Sequence, residues 1–394
     1  MKISILGAGV GGLSSAIALK QKGFDVDLYE RDPAVRNIGA GIVCWPNASF
    51  VLDEFRLLDK IRHVSGQPTS MDRISHLGES LGSLDIRQIN HLMGYDSFSI
   101  LRRDLMDILV SRVRDLGIDI HFSHELTGFE TVENGKVLAT FGNGKKILSG
   151  MLVGADGRMN SITRQFVCHD NKPVYQKFVN WIGVFESKEG IFEELSIKDF
   201  WGVGERFGIV PVNATSAYWA GGVAAPEIGL REPEKYKAEL LNLFSKWPDP
   251  IPEIIRGTPQ EAINKIYVHD QSPVEVWHRD NVLMIGDAAH APLPTSGQGA
   301  CQALEDAWHL ANLLEEGCSN IAETFSSFAR LRHSKTTGII MSGRQLASSL
   351  FNSDPEFCRQ RNESSQHADF ASVAAGMARG WMGGLPISDR PSLS

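Results

Sequence analysis

No stretch of about 18 consecutive apolar residues occurs in this 394-residue chain, so no helix that crosses a bilayer is expected. Runs of like charge are missing too. The formal net charge is −8, and the lysines and arginines are scattered, which argues against nucleic acid or an anionic membrane surface as the main partner. Cysteine is scarce: Cys44, Cys168, Cys301, Cys318 and Cys358 stand far apart, with no CxxC pair. That spacing fits a reducing, cytoplasmic setting and offers no ligand set for a structural metal. The first apolar stretch is broken by glycines and runs on into strand-like sequence, unlike a secretory signal. Internal repeats and low-complexity tracts are absent, as are GxSxG and HExxH motifs, so nothing points to a covalent nucleophile or a zinc hydrolase. What remains is a chain of ordinary globular composition, long enough for two domains and a large buried core.

What is present starts at once. Lys2 to Leu6 (KISIL) is a short β-branched run of strand type, followed by GAGVGG at residues 7–12. Leu13, Ala16, Ile17 and Lys20 then keep a helical period, Gly23 stands where a helix C-cap is expected, and Phe24 to Tyr29 reads as a second strand ending in Glu30. Each glycine has a physical task. Gly7 permits a tight turn, Gly9 lets backbone approach a pyrophosphate, and Gly12 lets the helix lie close on the strand. The helix N-terminus offers N–H groups and partial positive charge to phosphates. Glu30, 18 residues after Gly12, can accept hydrogen bonds from a ribose diol. This stretch alone serves NAD and FAD equally.

Two more motifs lie downstream. Residues 152–157 (LVGADG) run an apolar strand into an Asp-Gly turn, which alone is an ordinary strand ending. Residues 281–308 (NVLMIGDAAHAPLPTSGQGACQALEDAW) repeat the order strand, acid, loop, helix: Val282 to Ile285, then Gly286 and Asp287, a loop stiffened by Pro292 and Pro294, and Gly297-Gln298-Gly299 leading into a helix. Two separated dinucleotide-style units on one chain point to one long ligand held at both ends.

This set of motifs, in this order over roughly residues 1–345, resembles the single-component (group A) FAD-dependent aromatic monooxygenases of the p-hydroxybenzoate hydroxylase type. The resemblance implies an α/β fold: a Rossmann-type FAD-binding domain (1–73, 95–171, 276–350) interleaved with a mainly antiparallel β-sheet substrate domain (74–94, 172–275), and a C-terminal helical tail over 351–394. It implies FAD held tightly without a covalent bond, and NADH or NADPH as a transient co-substrate. Carried across, Asp287 with Gly286 takes the ribityl chain, and Asp156 with Gly157 serves both FAD and NAD(P)H. Pro294, Gly297, Gln298, Gly299 and Ala300 cradle the isoalloxazine, where a helix N-terminus favours the charge a reduced flavin gathers. Arg31 beside Glu30 and the loop Gly39 to Val43, with Gly41, Ile42 and Val43 foremost, join the cofactor contacts. Members of the family carry an arginine at the start of a helix that reaches the cofactor; in Ser99-Ile-Leu-Arg-Arg-Asp-Leu105, Arg102 aligns best, with Arg103 as the alternative. Trp45 reads as packing, Cys301 as a small buried residue, and His290 as a loop contact rather than a catalytic base.

Residues 172–225 alternate like strands and are rich in aromatics, including Phe178, Trp181, Phe185, Phe200, Trp201, Phe207, Tyr218 and Trp219. In the family such a sheet floors the substrate pocket. Counting by two puts Phe200, Gly202, Gly204, Arg206 and Gly208 on one face of one strand, open space beside a fixed positive charge. Arg206 is expected to hold a planar anion with its fork, and Tyr218, on the neighbouring strand, to stack or hydrogen-bond. Among family members the pattern looks closest to bacterial FAD-dependent urate hydroxylases, through Val179-Asn-Trp-Ile-Gly183 and the Arg206/Tyr218 spacing. Those enzymes carry an acid after the second loop proline. Here Thr295 stands there, which puts urate itself in question and leaves the class untouched.

The resemblance implies hydroxylation of a small aromatic or heteroaromatic substrate by O₂ through a flavin C4a-hydroperoxide, with the protein shielding the site from water. Rival readings are an FAD-dependent epoxidase, reductase or halogenase on the same scaffold, an NAD-dependent dehydrogenase, and a non-enzymatic flavin-binding protein. The tail has apolar residues enough to cover the substrate domain or to join two copies as a homodimer.

Overall fold

The computed structural model describes residues 2–35, 40–133, 136–317 and 320–387; Gly39 and Cys318 lie outside them. A six-stranded sheet runs in the order His278–Arg279, Val282–Met284, Met151–Gly154, Lys2–Leu6, Asp25–Tyr29, Ile120–His121, and is parallel except at its first pair. Of its inner strands, Met151–Gly154 and Val282–Met284 are apolar and buried at every position, as parallel strands covered on both faces are. The helix Val10–Gln21 is buried almost all round, so it carries no polar stripe. It packs against the second motif's helix, Gly299–Glu315. Both begin beyond the C-terminal ends of parallel strands, the edge where doubly wound sheets bind ligands.

A three-stranded meander, Leu126–Thr131, Val137–Phe141 and Lys146–Ser149, fills the connection between Ile120–His121 and Met151–Gly154. The sequence reading had no place for it.

The second large sheet has seven strands in the order Asn264–Asp270, Val174–Glu186, Ser216–Ala224, Glu205–Asn213, Ser196–Trp201, Ser70–Ser75, Ser80–Asp85. All its pairs are antiparallel except Ser196–Trp201 with Ser70–Ser75. Its register corrects the count along residues 200–208. Gly202 N–H donates to the Glu205 carbonyl (2.8 Å) and Gly204 has φ +70°, so the chain turns back there. Phe200 pairs with Phe207 and Trp201 with Arg206. Phe200 therefore faces away from Arg206, not with it.

The same parity sorts the aromatics. Trp181, Phe185, Phe200, Phe207 and Trp219 share the far face with helices Tyr236–Phe244 and Ile251–Gly257. Phe207 stacks on Trp219 at 5.5 Å, and Trp219 Nε1 donates to Thr258. They are core. The face toward the parallel sheet carries Asn180, Arg206 and Asp199 among glycine, alanine and aliphatic residues.

The last segments close the structure. The long helix Ile321–Leu350 is followed by Pro355–Gln366 and Phe370–Met382, which lie on the edge strand Ser80–Asp85 and on Ile86–Met93. The Phe370 ring occupies the space a side chain at Gly82 would need. Trp381 packs on Trp45, ring centres 4.9 Å apart.

Candidate active site

At the first motif the chain turns as the glycine spacing requires. Gly7 has φ +105°, and a Cβ there would overlap the Ala155 carbonyl; a Cβ at Gly12 would overlap the Gly7 carbonyl oxygen. A Cβ at Gly9, the residue before the helix, would meet no atom within 4 Å. The helix therefore starts with open backbone in front of it, as a phosphate site needs. Glu30 is pinned at the end of its strand, accepting from the N–H of Ala8 (2.7 Å) and of Asp32 (3.0 Å). Arg31 is exposed.

The middle of the site comes together by strand pairing. Gly41–Cys44 is antiparallel to Phe98–Leu101, and the Arg102 N–H donates to the Ala40 carbonyl at 3.3 Å. That brings Gly41, Ile42 and Val43 beside Arg102. Arg102 and Arg103 then part. Arg103 turns outward to Glu186 (2.9 Å) on the surface. Arg102 turns inward, its Nε buried and without a partner among the described residues. Burial lowers its pKa; Asp287 opposes the shift and Arg158 adds to it. Arg158, which the sequence reading passed over, pairs with Asp287 at 2.9 Å. Its signal was its place directly after the Asp-Gly turn.

Asp156 has local partners of its own. Its carboxylate accepts from Ser161 Oγ (2.6 Å) and the Thr163 N–H (3.0 Å), holding the start of helix Ile162–Cys168. Burial raises its pKa. Gly157, at φ +81° with no neighbour within 4 Å of a Cβ, leaves the backbone bare.

The second motif's loop makes one 3₁₀ turn, Pro294–Ser296, and passes through Gly297 at φ +63°. Gln298, Gly299 and Ala300 then open the helix, whose first N–H groups have no partner within it. Thr295 Oγ1 donates to the Gly343 carbonyl (3.0 Å), so its hydroxyl is spent on the long helix. Cys301 is fully buried; burial pushes its thiol up to about 12, which keeps it protonated.

Behind this loop lies a buried ionic network. Arg332 binds Glu305 through Nη1 (2.6 Å) and Asp306 through Nε (2.7 Å), and Lys335 binds Glu305 (2.8 Å). Gln302 and Asn47 donate to Glu305 and also to Gln298 Oε1. Asp306 accepts from the Gly286 N–H (2.7 Å) and pairs with His290 Nε2 (2.6 Å). His290 is thus a structural contact. Burial works to raise the pKa of both acids, but the Arg332 charge, with Lys335 on Glu305 and His290 on Asp306, holds them below the usual range. The network fixes Gly286 and Gln298, the two ends of the loop. Lys335 also donates to the carbonyls of Trp381 and Gly383, tying in the C-terminal helix.

His309 lies nearby, 4% exposed. Burial first, then the Arg332 charge, lowers its pKa to about 3. The unfolded chain protonates this residue below about 6.5 and the folded chain does not, so stability falls as pH drops through that window. By pH 5 the loss is on the order of 2 kcal/mol. His309→Gln should flatten the dependence of the urea midpoint between pH 7 and pH 5 relative to the parent; an unchanged slope would refute the assignment.

On the sheet face opposite this loop, three rows cross the strands. One holds Asn180, Gly222, Arg206 and Trp201; the next Ile182, Ala220, Gly208, Asp199 and Arg73; the third Val184, Tyr218 and Val210. Arg206 Nε donates to Asp199 (2.6 Å), which is 6% exposed. The guanidinium lies over Gly208, 3.7 Å from where its Cβ would be. The Tyr218 ring lies against Gly41, where a Cβ would overlap it. Burial, with Cys44 and Cys301 close by, raises its phenol pKa well above normal, so it is a hydrogen-bond donor and not a base. Strand geometry puts the Arg206 and Tyr218 backbones about 14 Å apart, with Gly208 and Ala220 between them.

Comparison with known proteins bears on this arrangement. A family model described as "FAD binding domain" matches residues 1–335. The chain is 33% identical to an aurachin C monooxygenase/isomerase of Stigmatella aurantiaca, over 80% of each chain. It is 27% identical to an FAD-dependent urate hydroxylase of Mycolicibacterium vanbaalenii, over 98% of this chain and 97% of that one. Among solved structures it is similar to Klebsiella pneumoniae HpxO complexed with FAD and uric acid, with a TM-score of 0.90 and 26% identity over 98% of this chain and 97% of that one.

Proposed function

We propose that this chain, which belongs to the FAD-dependent aromatic monooxygenases, hydroxylates a small planar aromatic or heteroaromatic anion, using NAD(P)H and O₂. The observation that carries the reading is the disposition of Arg206. Its Nε is engaged by Asp199, leaving the Nη groups for a ligand lying over glycine and alanine, on the sheet face that Tyr218 shares and that looks toward Gly41 and the Pro294–Gly299 loop.

The residues present fit FAD. Gly7, Gly9 and Gly12 with the helix behind them would take the pyrophosphate, and Glu30 the adenosine ribose. Asp287, braced by Arg158, would take the ribityl chain. The buried Arg102, Gly41 to Val43 and the backbone of Gly297 to Ala300 would surround the ring. The orphan Nε of Arg102 is a donor for which the protein itself provides no acceptor among the described residues. When bound, FAD supplies the redox chemistry that activates O₂. The protein's own part is positional. Arg206 favours the deprotonated form of a substrate enol or acid, which makes its ring more electron-rich. Tyr218 donates a hydrogen bond from the other end. The tail, through Trp381 on Trp45, helps exclude water from the loop. Thr295, engaged by Gly343, leaves no acid at that corner, so a substrate other than urate is favoured.

Two substitutions test this. Arg206→Gln should lower kcat/KM for substrate-stimulated NAD(P)H oxidation about 10- to 100-fold, the value of a charged hydrogen bond, while FAD stays bound. Loss of FAD instead would place Arg206 on the wrong face. Asp287→Ala should weaken FAD about tenfold or more by titration of the apoprotein; unaltered affinity would remove Asp287 from the cofactor site. Bound FAD that no pyridine nucleotide reduces, with or without an aromatic anion, would leave a flavin-binding protein and sink the proposal.

A further inference from the structure

The last turn of the C-terminal helix Phe370–Met382 reaches the loop proposed to hold the isoalloxazine by two routes. One is apolar. Trp381 packs on Trp45, ring centres 4.9 Å apart, and Trp45 Nε1 lies 3.1 Å from where a Cβ of Gly297 would be. The other is ionic. Lys335 Nζ donates to the Trp381 and Gly383 carbonyls (2.6 and 2.9 Å) and to Glu305 Oε2 (2.8 Å). The second oxygen of Glu305 accepts from Asn47 (2.7 Å) and Gln302 (2.9 Å), and both of these amides also donate to Gln298 Oε1. The two routes end on adjacent residues, Gly297 and Gln298.

The ionic route has no slack. An ammonium carries three N–H groups, and Lys335 has one acceptor for each. Glu305 Oε2 also takes Arg332 Nη1 (2.6 Å), so the carboxylate holds four donors, two on each oxygen, which fills its lone pairs. The Lys335 side chain is 11% exposed and that of Glu305 fully buried. At the tail, the last carbonyls of a helix lack partners within it and carry partial negative charge, which the ammonium offsets. Without that turn, two of the three Lys335 N–H groups lose their acceptors, and the donors on Glu305 must redistribute. The Gln298 amide, held by the same Asn47 and Gln302, shifts with them. Anchoring alone needs no such device: at its other end the same helix is held by Phe370 packed over Gly82, and burying an ammonium carries a desolvation cost that apolar packing does not.

We propose that docking of this last turn and binding of FAD at Gly297 to Ala300 are coupled, with Lys335 and Trp381 as positioning residues for the loop. Such coupling is reciprocal: the docked tail favours FAD, and FAD holds the tail down by the same factor. This rests on the reading of Gly297 to Ala300 as the isoalloxazine loop.

The test is hydrogen exchange of the full chain, read by mass spectrometry without ligand, with saturating FAD, and with ADP, which fills the nucleotide end alone. Amides of Phe370–Met382 that exchange by local opening should slow about tenfold with FAD. Those of Tyr236–Phe244, on the far face of the antiparallel sheet, should not, and ADP should slow neither. Lys335→Met should weaken FAD about tenfold and abolish the slowing; Trp381→Leu should weaken FAD about fivefold. Both should bind ADP as the parent does. Bound FAD that leaves the tail unprotected, or protects Tyr236–Phe244 equally, would overturn the inference. So would protection by ADP as strong as by FAD, or a Trp381→Leu variant that melts lower yet binds FAD as the parent does. In each of these the bound flavin leaves the FAD reading standing. A chain that takes up no FAD would overturn both.

Discussion

Replacing Arg332 with methionine should cost about 3–5 kcal/mol of stability, seen as a large fall in the urea midpoint at neutral pH. Arg332 is 1% exposed and reaches Glu305 and Asp306, both fully buried. Bringing three charges out of water is costly, and their attraction roughly offsets that cost while all are present. Removing the arginine leaves two carboxylates against one lysine, Lys335, which pairs with Glu305 and not with Asp306. Asp306 would keep His290 and the Gly286 N–H but lose its neutralising cation. Arg332→Lys should rescue little, because an ammonium cannot reproduce the fork that meets Glu305, Asp306 and Gln302 together. A methionine variant as stable as the parent would mean that the network contributes nothing to the fold. The same variant should weaken FAD, since Gly286 and Gln298 are the loop ends the network holds.

Gly12→Ala should abolish FAD binding at micromolar concentrations and destabilise the apoprotein, whereas Gly9→Ala should weaken FAD and leave apoprotein stability nearly unchanged. The difference is one of neighbours. At Gly12 a Cβ would overlap the Gly7 carbonyl oxygen, which is backbone and cannot swing away. The helix would have to lift from the turn, undoing its packing on the strand. At Gly9 the backbone is extended, φ −77° and ψ −174°, and no atom lies within 4 Å of a Cβ. The methyl is tolerated by the protein and intrudes only where phosphates would lie. Melting of the two apoproteins, followed by FAD titration, separates these outcomes. Equal behaviour of the two variants would refute the division of labour among the glycines.

Much of the nucleotide end was legible in the sequence because it is built from neighbours in the chain. A strand, a glycine turn and a helix lie within 21 residues, and turn chemistry is local. The loop of the second motif was legible for the same reason. Along residues 200–208 local reading failed, because alternation by two persists through a hairpin only if the turn keeps register, and Gly204 at positive φ breaks it. The aromatics misled in a related way: period-2 counting says which residues share a face, not which face meets the ligand. Sequence put Arg102 ahead of Arg103 only by alignment, since adjacent helical positions differ by direction alone. Glu186, on a distant strand, takes one of them.

By itself, then, the sequence determined the class of this protein, its cofactor and the glycine turns and acids proposed to hold the nucleotide, because those features are short-range and chemically distinctive. Only the tertiary structure decided which side chains share the sheet face proposed to meet the substrate. The row Asn180, Gly222, Arg206 depends on the pairing of three strands, and the Glu305–Arg332 network on side chains 27 residues apart in the chain, carried by two different helices. Side chains this remote meet through sheet register and helix packing, which follow from the burial of the whole core and leave no local mark in the order of residues.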